Sequence, residues 1–481
     1  MIRAGLLTPR TLFLMIGALF VLRIVAAAAL PLSADEAYYW LWSKRLAAGY
    51  YDHPPAIAFL IRAGTSLFGD DSLGVRFGSL VLSIAAGGFV WRAGAAILDD
   101  EKSAALGCLL FNLTPMAAIE TMAATPDAPL IAASAAFLYA LAKLDRSADG
   151  RWWLAAGAAG GLALLSKYTG FFLGLGALAW LLTARGRPWW RSPWLYVGGL
   201  VALIIFAPNL VWNAIHGWET FAFQFGRIGR GGLTLRYIVE FAGAQLLLAS
   251  PFVLVCAVIA LIGAPRRLTM VIALILPAAL FFAAHALFDR VQGNWPCFLY
   301  PALAVAAALA ASPTKREPSG FARWSLRLAI PTAVGLLALI YLQAFFDVIP
   351  LGRADPTTRL LAYGFSDVVR DLDARPDRPA AVLTSDYETT AWLAFYGHFP
   401  VIQVDESARW PDRPPPNAAL LNQPLLYVAE DRRDRHALIG ARFAQVRPLG
   451  GVDRKRDGRT AAHYRIYEAR GFHGPVFGRM P

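Results

Sequence analysis

Residues 33–55, SADEAYYWLWSKRLAAGYYDHPP, place three acids and a histidine close together: Asp35, Glu36, Asp52 and His53. A positioned carboxylate can accept the proton of an attacking hydroxyl while a leaving group departs from the far side of a carbon. A one-step substitution with inversion needs only one such base. The competing reading is an acid solvated at a membrane edge, and the Asp-Glu pair alone does not separate the two. Asp52 and His53 precede Pro54 and Pro55, which restrict the local backbone. They suit binding of a polar headgroup, and with His285 they are weak candidates for a metal ion. Equally, they read as a helix start with proline in the first turn. Two adjacent ligands make a weak metal site, and a divalent ion there is possible but not required.

Further polar residues interrupt the apolar runs. Asp127, in TPDAPL, is either a helix cap or a second carboxylate facing the same chemistry, and the two readings are compatible. Lys167 and Tyr168, in LLSKYTG, lie between two short apolar stretches. A lysine there either snorkels to the interface or stabilises a departing phosphate. Arg227, Arg230 and Arg236 are further cations for an anionic ligand. His285, Asp289, Arg290, Gln292, Asn294 and Trp295 crowd the stretch HALFDRVQGNWP, which reads as an ordinary turn or as a sugar or phosphate contact.

The elements that must position these residues are membrane helices. The chain is 57% hydrophobic and only 16% charged, which excludes an ordinary soluble protein. The net charge of +12 suits basic cytoplasmic loops better than nucleic acid binding. Cys108, Cys256 and Cys297 all fall in apolar runs and read as packing residues, with no disulfide or zinc framework. Apolar runs predict about eleven spans, at 11–30, 77–98, a third running to 119, 128–144, 152–165, 170–183, 194–214, 237–262, 268–287, 296–311 and 326–346. The first, interrupted by Arg23, is long enough to span and reads as an anchor rather than a cleaved leader. The first outer loop, 31–76, is expected to hold helices in the membrane interface, where Tyr and Trp favour the headgroup level.

With the N-terminus in the cytoplasm, Lys and Arg concentrate in the alternate loops, as the positive-inside rule requires. Asp35, Asp127, Lys167, the 212–236 loop and the 285–295 turn then share the outer face, although they come from five separate loops. From about residue 350 the composition becomes charged and rich in Arg, Asp and Pro. Strand-like runs AAVLTSD, FPVIQV, PLLYVAE and HYRIYEA, with helical stretches between, predict a small α/β domain at 350–481 after a membrane domain at 1–349. With eleven spans that domain is periplasmic.

An outer first loop with Asp-Glu, then YYDHPP, TPDAPL, LLSKYTG and VQGNWP in this order, resembles bacterial membrane glycosyltransferases of the C-type fold. The chain is most similar to the glycosyltransferase 39 superfamily, with its protein O-mannosyltransferases and lipid A aminoarabinose transferases. The likeness covers about residues 10–350 and, more loosely, the C-terminal domain. It implies an inverting transferase that takes a sugar from a polyprenyl-phosphate donor. The acceptor would be an envelope glycolipid, glycan or protein at the outer face of a bacterial inner membrane. It also implies Asp35 as the base or acceptor-orienting acid, Glu36 completing the pair, and Asp127 as a second cavity acid. Asp52, His53, Lys167, Tyr168, Arg227, Arg230, His285 and Arg290 would contact donor or phosphate. Asp52 and His53 match positions that are commonly Glu and Lys in aminoarabinose transferases, so His53 departs from that pattern. A transporter or flippase of lipid-linked sugars would share the many spans, but it would hold its substrate groups near the membrane midplane. A structural envelope protein would leave the acidic loop unexplained.

Overall fold

The computed structural model describes residues 8–226, 231–263, 266, 268–310, 320–375 and 379–481. Arg227 and Arg230, expected to contact phosphate, lie outside the described residues.

The first helix, α1 (Pro9–Ala29), is capped by the Thr8 side chain and has Pro9 in its first turn. That pairing occupies one orphan N–H and presets φ. The first long loop holds α2 (Ala34–Ser43) and α3 (Ala56–Phe68) and leads into α4 (Ser72–Leu98). Next, α5 (Glu101–Leu113) and α6 (Pro115–Glu120) form one apolar stretch broken at Thr114, because Pro115 cannot continue the ladder. Then come α7 (Asp127–Ser147), α8 (Trp152–Ser166), α9 (Phe171–Leu181), α10 (Pro193–Ile215), α11 (Glu219–Phe225) and α12 (Arg236–Leu248). The membrane part closes with α13 (Pro251–Gly263), α14 (Thr269–His285), α15 (Tyr300–Leu309) and α16 (Gly320–Phe346).

The expected spans do not all appear as long helices. Among the described residues five helices are long and apolar enough to cross a membrane alone: α1, α4, α7, α10 and α16. Shorter apolar helices make up most of the remainder. The stretch 237–262, expected as one span, is instead α12 and α13 bent by 100°. Ser250 stands at the bend with φ 62°, and Pro251 starts the new helix. A non-glycine residue there and a proline after it both oppose a continuous helix.

A second correction concerns α2. Its aromatics were expected at the lipid headgroup level, but nine of its ten residues are buried in protein. They are covered by the C-terminal domain. That domain holds α17 (Pro356–Leu360), α18 (Phe365–Asp373) and α19 (Tyr387–Tyr396), and a five-stranded sheet. Its strands are β1 (Val382–Thr384), β2 (Val401–Gln403), β3 (Leu425–Glu430), β4 (Phe443–Arg456) and β5 (Arg459–Phe472), in the order β2-β1-β3-β5-β4. β1 pairs parallel with β2 and β3, and the other pairings are antiparallel. All four strand-like runs contain strands. β4 escaped the sequence reading because Pro448 and two glycines break its alternation, and the register shifts between Pro448 and Gly451. The signal was present downstream: Asp457-Gly458 joins β4 to β5 with both φ positive, at 47° and 78°, a two-residue hairpin turn.

Two apolar cores matter for the site. One fills the helical bundle. The other runs from Tyr38, Trp40 and Trp42 of α2 through Ile57 and Ile61 of α3 into Phe365, Trp392 and Tyr464 of the sheet domain. Trp40 packs edge-on to Phe395 at 5.0 Å between ring centres. The first loop and the C-terminal domain therefore share a core, and α2 is clamped between bundle and sheet.

Candidate active site

Local sequence sets the start of α2. Ser33 is the N-cap, its Oγ accepts from the Glu36 N–H, and Glu36 accepts in return from the Ser33 N–H at 2.9 Å. This capping box fixes the helix entry. Glu36 also meets the buried Arg76 of α4 through two bonds, at 2.6 and 2.7 Å, and accepts from the Ala124 N–H at 3.0 Å. Arg76 gives its remaining N–H groups to the carbonyls of Ala27, Leu30 and Pro31. Both oxygens of Glu36 are thus committed, so it does not stand beside Asp35 as a second free acid. It is the tie that joins α1, α2, α4 and the turn before α7.

One residue earlier on the helix, Asp35 points the other way and is exposed. Its neighbours are Tyr387, Glu388, Asp52 and Arg409. The Tyr387 hydroxyl donates to Asp35 Oδ1 at 3.0 Å. The surrounding protein raises the Asp35 pKa to about 6, helped by the charges of Glu388 and Asp52 and opposed by the Tyr387 bond and Arg409. At neutral pH this carboxylate is mostly ionised and able to take a proton.

A second group meets at the start of α7. Asp127 is buried and makes no capping bond with its side chain; the helix cap is Pro126. Instead its Oδ1 pairs with Lys167 Nζ at 2.7 Å and accepts from Cys297 Sγ at 3.1 Å, while its Oδ2 accepts from Asn294 Nδ2 at 2.8 Å. Three distant segments, 125–127, 166–168 and 294–297, converge on this one carboxylate. Lys167 is consequently a neutralised, buried partner of Asp127 rather than an open cation. Glu120, the last residue of α6, has Asp127, Lys167 and Asp35 as its charged neighbours, and Thr125 Oγ1 reaches it at 3.4 Å. It links the two groups into one charged neighbourhood, and the sequence reading missed it. Its signal was available: an acid ending an apolar run, seven positions before Asp127.

Of the remaining candidates Asp52 lies near Asp35, and the others are dispersed. Asp52 accepts from Arg409 through both oxygens at 2.7 Å, and from the Tyr38 hydroxyl at 2.6 Å. Its partner Arg409, from the C-terminal domain, was not singled out in the sequence. His53 lies 6.3 Å from Tyr39, ring to ring. Tyr168 donates to Asn209 of α10 at 3.1 Å and stacks on Phe221 at 4.7 Å. Asn209 in turn holds the Ala48 carbonyl of the first loop at 2.9 Å. His285 is stacked between Phe281 and Trp295, both at 5.9 Å. Arg290 pairs with Glu240 through Nε at 2.7 Å and is largely exposed. Among the described residues no three His, Cys, Asp or Glu side chains gather as a metal site. A cleft of about 240 Å³ is lined by Arg92, Asp99, Lys143 and Arg146 at the far ends of α4 and α7, and shares no residue with these acids.

Comparison with known proteins bears on the fold and the family likeness. The family described as "Dolichyl-phosphate-mannose-protein mannosyltransferase" matches residues 52–212. A lipid A galacturonosyltransferase, RgtD, of Rhizobium johnstonii is 28% identical over 367 residues, 74% of this chain and 73% of its own length. A lipopolysaccharide core galacturonosyltransferase of the same organism, RgtA, is 33% identical over 217 residues, 43% of this chain and 42% of the relative. Among solved structures, ArnT from Cupriavidus metallidurans bound to undecaprenyl phosphate superposes with a TM-score of 0.65, at 18% identity, over 96% of this chain and 99% of that one. The mycobacterial arabinofuranosyltransferase AftD matches at a TM-score of 0.52 and 15% identity, over 97% of this chain and 40% of its own. The chain thus shares the fold of the membrane glycosyltransferase ArnT, and in sequence it resembles the protein mannosyltransferase family over residues 52–212 and the Rhizobium galacturonosyltransferases over a longer stretch.

Proposed function

We propose that the protein transfers a sugar, with inversion, from a polyprenyl-phosphate donor to a glycolipid of the cell envelope at the periplasmic face of the inner membrane. The observation that carries this reading is the contrast between Asp35 and Glu36. One acid is accessible and poised to ionise near neutrality, and its neighbour is locked in a buried ion pair. In the proposed step an acceptor hydroxyl oxygen attacks the anomeric carbon and the bond from that carbon to the phosphate oxygen breaks. The hydroxyl proton passes to Asp35, and the polyprenyl phosphate leaves with the bonding electrons. Asp35 is the base. Asp127, Glu120 and Lys167 form the polar wall, with Lys167 held on Asp127.

The matched proteins inform the partners. ArnT was solved with undecaprenyl phosphate, and the curated relatives act on lipid A and on lipopolysaccharide core. Polyprenyl-phosphate galacturonic acid is therefore the first donor to try, and lipid A the first acceptor. The positive-inside pattern supports a cytoplasmic N-terminus and, with it, an outer position for the acids. A flippase reading draws on the bend between α12 and α13. The charged groups, however, gather around α2, α6 and the start of α7 rather than at that bend.

The test is a paired lipid and glycan analysis of cells expressing wild type or Asp35→Asn at equal membrane abundance. Loss of one sugar from an envelope glycolipid, with accumulation of its polyprenyl phosphosugar, is the expected result. An unchanged glycolipid in the Asp35→Asn strain, where a null strain differs, removes Asp35 as the base.

A further inference from the structure

The C-terminal domain reaches into this site. We infer that Tyr387, at the first turn of α19, is a positioning residue for the transfer, holding one oxygen of Asp35 so that the other faces the acceptor hydroxyl. The inference rests on the proposed role of Asp35.

The geometry is over-determined. Asp386 caps α19 by accepting from the Thr389 N–H at 2.9 Å, which fixes the helix start. The Tyr387 N–H donates to Glu406 Oε2 at 3.0 Å. The same Glu406 oxygen accepts from Arg409 Nε at 3.0 Å, and the Arg409 guanidinium lies over the Tyr387 ring at 4.4 Å. The ring also meets Tyr38 of α2 at 5.1 Å. The phenol therefore has little freedom, and its hydroxyl points at Asp35 Oδ1 across 352 positions of sequence. Burial and the nearby carboxylates keep that hydroxyl protonated, so it donates.

A donor on Oδ1 has two consequences. It orients the carboxylate plane, and it favours the ionised acid. Every other acid facing Asp35 works against ionisation: Glu388 of α19, Asp52 of the first loop and Glu120 of α6, with Tyr39 of α2 also packed nearby. Arg409 is the cation on the same side as Tyr387. The outer domain thus supplies both of the groups that hold the base in its active form.

The test uses the full-length protein in lipid nanodiscs, with carboxyl-stretch infrared titration of Asp35 isolated by difference from Asp35→Asn. Tyr387→Phe keeps the ring and removes only the hydroxyl. The midpoint is expected to rise by about one pH unit, and transfer in cells to fall roughly tenfold at acidic medium pH while recovering toward wild type in alkaline medium. Difluorotyrosine at position 387, a stronger donor of the same shape, is expected to move the midpoint down and serves if the Phe variant does not accumulate. A midpoint that neither substitution moves overturns the inference. Unchanged glycolipid in Asp35→Asn cells would instead overturn the proposed function, whatever Tyr387 does.

Discussion

Between pH 7 and pH 5 the charge on Asp35 changes, because its pKa is about 6. A base must be ionised to accept a proton, so kcat/KM for transfer is expected to fall about tenfold per unit below that value. The acidic limb of the pH profile, measured in membranes with the phosphosugar donor, checks this; a limb centred near pH 4 would contradict Asp35 as the base in these surroundings. Asp127 and Lys167 behave differently, since both are buried and each is the other's charge partner. Lys167→Met leaves an unpaired carboxylate, and the expected loss is about 3–5 kcal/mol of stability. The double variant Asp127→Asn with Lys167→Met should recover much of it in a thermal-unfolding cycle. Asp35, Asp127 and Lys167 were legible as unusual residues from their types and flanking apolar runs. What each touches was not: nothing local marks Glu36 as the acid that Arg76 takes, forty positions away.

At the scale of elements, α2 is held by two devices. The Glu36–Arg76 tie anchors its start, and a close backbone approach anchors its exit. A Cβ on Gly49 would lie 2.5 Å from the Trp212 ring and 2.8 Å from Asn209. Gly49→Ala is therefore expected to push the loop off α10 at a cost of about 1–3 kcal/mol, seen as a lower unfolding midpoint. The same displacement would tilt Asp35 away from α6, so transfer should drop as well. The hydropathy pattern marked most helices, but it misread 237–262. Periodicity and apolar content do not register a 100° bend, which depends on one left-handed residue before a proline.

The whole molecule is two bodies sharing a core. The sheet domain covers Tyr38, Trp40 and Trp42, and Arg409 closes on Asp52. Removing residues 350–481 would expose that aromatic face and unpair Asp52. The truncated chain is expected to insert its helices yet be degraded, with membrane abundance falling several-fold by immunoblot against the full chain. Normal abundance with transfer intact would show that the domain is dispensable.

The amino-acid sequence by itself determined the membrane class, the alternation of basic loops, the polar clusters and the family resemblance. All of these follow from composition and short-range order, because the bilayer and the helix period act on a few residues at a time. Tertiary structure decided which acid is open and which is locked, that Glu120 joins Asp35 to Asp127, and that Tyr387 and Arg409 come from a domain over 350 positions away. Those facts depend on which charges desolvate together. That is a property of the packed chain, and no local spacing encodes it.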